Sequence, residues 1–120
     1  MDRYIAIVLT VLTCSTALAD KTVHATTQQG ILVGLENETS QYFLGIPYAK
    51  QPVGELRWRS PQPPESWDGE RTAFEFGPAC PQPDDRFSRT KPGPRDEACL
   101  YLNIWAPANR YERAALPVMV

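Results

Sequence analysis

The chain has 120 residues, 42% of them hydrophobic and 22% charged, and 12 Lys and Arg against 14 Asp and Glu leave a net charge of −2. The charges are scattered without a basic cluster, which argues against a nucleic-acid or anionic-lipid binder. All twelve prolines fall after residue 46, at about twice the ordinary density of ~5%. They interrupt nearly every stretch that could form a long helix, so short strands and extended loops are expected.

Arg3 and the free amino group lead into an apolar run over residues 4–12, followed by small residues ending at Ala17, Leu18 and Ala19. A charged start, an apolar middle and a small-x-small end are the order of an export signal. The apolar run is about half the length a bilayer span requires, and Thr13 stands where a lipoprotein signal at Cys14 would carry Gly, Ala or Ser. Cleavage after Ala19 is expected, which makes residues 1–19 the signal peptide, residues 20–120 the mature chain, and the destination secreted or extracytoplasmic.

Residues 23–27 alternate apolar and polar, residues 28–30 can turn, and residues 31–35 supply a second β-rich run, which predicts a hairpin. A polar loop over 36–40 follows. Within it Asn37, Glu38 and Thr39 form an Asn-x-Thr acceptor for N-glycosylation, to be weighed against an ordinary solvated turn. The apolar run Tyr42, Phe43 and Leu44 comes next and is expected to end at Gly45 and Pro47. From 52 to 94 the chain is dominated by proline, glycine and charge, with Trp58, Trp67, Phe74, Phe76 and Phe87 spaced among them. A disordered linker rarely carries so many rings, so an ordered coil pinned by aromatics is expected.

Residues 100–106 carry the clearest strand signal, with Leu100, Leu102, Ile104 and Ala106 on one face and Tyr101, Asn103 and Trp105 on the other. Both faces are largely apolar, which predicts a strand covered on both sides and ended by Pro107. After a polar connection over 108–115, residues 116–120 begin a further apolar run. A strand broken there would expose unpaired backbone, so the chain reads as truncated.

Two cysteines remain after the leader, Cys80 and Cys99. In an oxidising compartment a disulfide is favoured over two reduced thiols. A metal site is disfavoured, because there is no Cys-x-x-Cys pair and the one histidine, His24, is remote in sequence. The bridge would close a loop of about 20 residues, worth roughly 3 kcal/mol in the chain-entropy picture.

Four blocks together carry a family likeness: Phe43-Leu44-Gly45-Ile46-Pro47-Tyr48-Ala49; Pro52-Val53-Gly54-Glu55-Leu56-Arg57-Trp58; Phe76-Gly77-Pro78-Ala79-Cys80-Pro81-Gln82; and Glu97-Ala98-Cys99-Leu100-Tyr101-Leu102-Asn103-Ile104-Trp105-Ala106-Pro107. In this order and spacing, across essentially the whole mature chain, they resemble the type-B carboxylesterase and cholinesterase family. The resemblance implies an α/β-hydrolase fold, of which this chain supplies the early antiparallel strands, the proline-rich coil, the first disulfide loop and a strand entering the central sheet. It also implies a structural ion pair between Arg57 and Glu97. If buried, such a pair costs roughly 3 to 5 kcal/mol to break; if solvated, ~0 to 1. The chain departs from the family at Ala98, where an aspartate usually precedes the cysteine and offers a hydrogen-bond acceptor; neighbouring Asp96 is the available substitute.

The loop bears on substrate. In cholinesterase-like members it carries a tryptophan that holds a quaternary ammonium by cation–π attraction. Here the loop from Cys80 to Cys99 contains no tryptophan and Phe87 is its only ring. The resemblance therefore implies a small uncharged carboxylester as partner, rather than a choline ester, and a serine mechanism with no metal or organic cofactor. Ester hydrolysis on this fold uses a Gly-x-Ser-x-Gly turn, an acid and a histidine in that chain order. None of the five serines, at 15, 40, 60, 66 and 88, lies in such a turn. His24 precedes every serine of the mature chain and is read as an exposed residue of the first hairpin. The glycine-rich oxyanion loop would follow the strand beginning at Val118. The expectation is a fragment of a serine carboxylic ester hydrolase without catalytic residues of its own. The alternatives are a segment of a non-catalytic, cholinesterase-like adhesion protein or an inactive truncated product.

Overall fold

The computed structural model describes residues 20–84, 93–108 and 115–120. The expected leader with Cys14 and Ser15, and the loop residues Phe87 and Ser88, lie outside the described residues. The elements are β1 (Lys21–Thr26), β2 (Ile31–Glu36), β3 (Ser40–Pro47), a single 3-10 turn (Gly54–Leu56), β4 (Glu70–Thr72) and β5 (Tyr101–Pro107). Among the described residues no helix is long and apolar enough to cross a membrane.

β1 and β2 form the expected antiparallel hairpin, in register from Lys21 opposite Glu36 to Thr26 opposite Ile31. The first strand ends one residue before Thr27 because that side chain makes the turn: its hydroxyl donates to Gly30 O at 2.8 Å and accepts from the Gln29 and Gly30 amides. Gly30 is required by space as well as by backbone. Its φ is 147°, and a Cβ there would stand 2.5 Å from Trp67 Nε1. Trp67 closes this end of the hairpin, packing on the core and donating from Nε1 to Ile31 O at 3.0 Å, with the Arg71 guanidinium 5.4 Å from its ring centroid.

A second hairpin joins β2 to β3. β3 ends at Pro47, one of the two residues expected to end it, but passes Gly45 through a bulge between Phe43 and Ile46. Gly45 takes φ 65° there, a left-handed conformation open to glycine at little steric cost. Its amide, lost to the ladder by the bulge, donates instead to Asn103 Oδ1 at 2.9 Å.

The sheet order is β1-β2-β3-β5, with β4 parallel to β2. β1 lies along the whole of β2, so β3 and β4 share the other edge. Ala73 fills the fork between them, its amide donating to Val33 O and its carbonyl accepting from the Leu44 amide, each at 2.8 Å. Val23, Leu32, Phe43, Ile46 and Ala73 form the core, with Ala25 and Trp67 packed against it. Gln41 is a buried polar residue at 1% exposure; its Nε2 donates to Glu36 Oε2 and to Ala108 O.

Three expectations are corrected. β5 pairs with β3, yet Ile104 and Trp105 are 47% and 58% exposed, so among the described residues neither face of this part of β5 is covered. Residues 116–120 form no strand, for want of a described neighbour to complete a ladder. The aromatic pinning is uneven: Trp67 is packed, Phe76 meets Trp105 with ring centroids 6.1 Å apart, and Trp58 is 94% exposed with φ 61°.

Candidate functional site

The residues singled out by sequence converge on the base of the disulfide ring. Cys80 and Cys99 are bonded, with Cα atoms 5.0 Å apart. The two legs of the ring also meet through backbone: the Ala79 amide donates to Pro94 O at 2.9 Å and the Asp96 amide to Ala79 O at 3.0 Å. Asp84 and Arg95 form an ion pair across the ring.

At Ala98 the structure answers the question posed by the departure from the family pattern. The Ala98 amide donates to Asp96 Oδ1 at 2.8 Å, so a carboxylate two residues upstream supplies a local acceptor and turns the chain into Cys99. Such Asx turns let a short acid replace a backbone partner. One residue earlier, Glu97 Oε1 contacts Arg57 Nη2. The 3-10 turn at Gly54–Leu56 delivers Arg57 to that position, and its amide closes the turn by donating to Gly54 O at 3.1 Å. The two side chains are 54% and 43% exposed, which puts the pair, within the described residues, in the solvated rather than the buried regime.

Two contacts that sequence reasoning missed shape the sheet beside the ring. Gly77 faces Tyr101 so closely that a Cβ would stand 2.5 Å from the ring's Cδ2. Asn103 holds the β3 bulge as described above. The available signal was a polar residue inside an otherwise apolar strand. Between these contacts opens a cleft of about 420 Å³, lined by Phe76, Cys80, Pro94, Cys99, Tyr101 and Asn103.

The other candidates lie elsewhere. Asn37 is exposed at the tip of the second hairpin, where its Oδ1 accepts from the Thr39 amide, the Thr39 hydroxyl and the Ser40 amide at 3.0, 3.1 and 2.8 Å. His24 sits half exposed on β1 with Nε2 3.2 Å from Glu70 Oε1 on β4. Near the start of the described chain, the Tyr42 hydroxyl donates to the Asp20 carboxylate. That hydrogen bond, then desolvation and the Asp20 charge, raise the phenol's pKa above 10.0. Among the described residues no group of three His, Cys, Asp or Glu is placed to hold a metal.

Comparison with known proteins gives these arrangements a context. The model of the carboxylesterase family matches residues 20–120. The chain is 43% identical over 94 residues to a fumonisin B1 esterase of Sphingopyxis macrogoltabida, covering 78% of this chain and 17% of that protein. It is 42% identical over 97 residues to a para-nitrobenzyl esterase of Bacillus subtilis (strain 168), covering 79% and 19%. In structure it is similar to a juvenile hormone esterase from Manduca sexta with OTFP covalently attached, with a TM-score of 0.71, 39% identity and coverage of 81% of this chain and 19% of that one. The chain thus spans about one-fifth of the length of the relatives it matches. The solved neighbours have the α/β-hydrolase fold, and the largely antiparallel sheet with its disulfide corresponds to an early part of it.

Proposed function

The chain belongs to the carboxylesterase family, and on that premise we propose that it is the amino-terminal part of an exported serine hydrolase acting on small, uncharged carboxylic esters. The observation that carries this is the match over residues 20–120, together with relatives whose names identify them as esterases. In this function the chain is scaffold and wall. The core sheet fixes β3 and β5, and those strands hold the disulfide ring beside the substrate. The nucleophile, acid, base and oxyanion donors belong to the rest of the native polypeptide. There a serine attacks the ester carbonyl, a histidine takes and returns the proton, and backbone N–H groups hold the oxyanion.

The absence of tryptophan from the 80–99 loop favours neutral acyl and alcohol groups, since a quaternary ammonium needs an aromatic face. Export is supported by the charged, apolar and small segments of residues 1–19, with cleavage after Ala19, and by the cysteine pair, which an oxidising compartment keeps bonded. If the source is eukaryotic, Asn37 is a candidate N-glycan acceptor, an exposed residue at the tip of the second hairpin whose Oδ1 is held by the turn.

The test is a comparison of p-nitrophenyl butyrate and acetylthiocholine as substrates of the native polypeptide that carries this chain. Preference for the butyrate ester is expected. Preference for the choline ester would overturn the substrate assignment, and turnover of neither would favour a non-catalytic binding protein.

A further inference from the structure

The place where β5 becomes the disulfide ring is held by a side chain that stands in for a strand. The β3–β5 ladder ends with Pro47 opposite Tyr101, so the amide of Leu100 falls just beyond it. That amide donates to Gln51 Oε1 at 3.0 Å, and Gln51 Nε2 faces Leu100 O at the longer distance of 3.5 Å. The same carbonyl accepts from the Tyr48 amide at 3.2 Å. The coil after β3 therefore continues the ladder by one residue, with Gln51 supplying the acceptor that backbone no longer offers. With Arg57 on Glu97, residues 48–57 grip the carboxyl-terminal leg of the ring at two points, on either side of Cys99. The other leg is tied by backbone to its partner leg through Ala79. The 48–57 segment thus anchors the carboxyl-terminal leg, while the close approach of Gly77 to Tyr101 anchors the other.

We propose that Gln51 is a positioning residue: through the Leu100 amide it fixes the exit of the disulfide ring from β5, and so the wall that the ring presents to an uncharged ester. The second half of this rests on the ester-hydrolase function proposed above. The long Gln51 Nε2 arm is too stretched to contribute much; the acceptor arm is the one that matters, and substitutions of similar length separate the two.

Gln51→Met keeps the length and apolar stem but removes the acceptor, and Gln51→Glu keeps an acceptor in the same place. Both are made in the native polypeptide and compared by amide hydrogen exchange at Leu100 and by KM and kcat for p-nitrophenyl butyrate. Gln51→Met is expected to speed exchange at Leu100 about fivefold, the effect of one lost hydrogen bond. It should also raise KM about threefold, with kcat within about twofold of wild type, as for a loss of binding rather than of chemistry. Gln51→Glu restores the acceptor but sets its second oxygen against Leu100 O in place of Nε2, so it is expected to exchange more slowly at Leu100, and bind with lower KM, than Gln51→Met without fully reaching wild type. Unchanged exchange in Gln51→Met, or equally fast exchange in Gln51→Glu, would overturn the clamp. Fast exchange with unchanged KM would overturn the positioning role while leaving the hydrolase function intact. Absence of any ester turnover in the wild type would refute the hydrolase function, and the positioning role with it, whatever the exchange data show.

Discussion

Replacing Asn103 with Ala perturbs a single contact whose loss can be reckoned from the structure. The side-chain oxygen of Asn103 is the acceptor for the Gly45 amide, at 2.9 Å in a partly buried setting, and the β3 bulge has taken away the ladder partner that amide would otherwise have. A hydrogen bond in itself is worth about 0.5 to 1.5 kcal/mol net, but a donor left unpaired costs about 1 to 3 kcal/mol. Because the site is only partly buried, solvent offsets part of that cost, and a loss of about 1 to 2 kcal/mol is expected. Asn103→Asp retains an oxygen at the same reach and should lose less than half as much at neutral pH. The assay is urea unfolding of the native polypeptide followed by tryptophan fluorescence, with m-values compared to exclude a change in the unfolded state. A loss below about 0.5 kcal/mol for Asn103→Ala, or equal losses for Ala and Asp, would refute the claim that the bulge depends on this acceptor.

Three further outcomes are expected. Arg57→Ala should lower stability by no more than about 1 kcal/mol, because both partners of the ion pair are half exposed; a loss near 3 kcal/mol in urea unfolding would place the pair in a buried environment instead. Gly77→Ala should cost about 1 to 3 kcal/mol by forcing Tyr101 or the chain to shift, and a wild-type melting curve would contradict that contact. The Tyr42 phenol should titrate above 10.0 by ultraviolet absorbance, and Asp20→Asn should bring its midpoint back toward that value. Since its proton is held more tightly in the folded chain, Tyr42 adds stability that is fully present below pH 10.0 and lost as pH rises through the folded-state pKa. A midpoint unmoved by Asp20→Asn would remove Asp20 as the cause.

What could be read from sequence was what local chemistry dictates. The period-two pattern from 23 to 35 gave the first hairpin, whereas 36–40 read only as a polar loop and its role as the turn of a second hairpin came from the structure; the pairing of Cys80 with Cys99 followed from count and compartment. The contacts that escaped are those made between distant residues. β3 passes Gly45 because Asn103, 58 residues away, takes its amide. β4 forms inside a proline-rich coil because residues 70–72 meet β2 in parallel, a pairing that no local pattern announces. Gln51 appears as an unremarkable polar residue until Leu100 is seen beyond the end of the ladder. The apolar character of both faces of β5 led to an expectation of burial that the exposed Ile104 and Trp105 do not meet, since hydrophobicity shows what a face could bury and not what lies against it. Asp96 lies between: its position beside Ala98 suggested a substitute acceptor, and only the geometry shows the hydrogen bond.

The central claim is that this chain builds the scaffold and disulfide wall of an esterase whose reacting serine lies elsewhere in the native polypeptide. It is tested most directly by labelling that polypeptide with an organophosphorus inhibitor, which forms a stable bond to an activated serine, and locating the adduct by peptide mass spectrometry. The expected result is one adduct on a serine in a Gly-x-Ser-x-Gly turn outside residues 20–120, with ester turnover lost in parallel. Labelling of Ser40, Ser60, Ser66 or Ser88, or ester turnover that survives without any adduct, would contradict it.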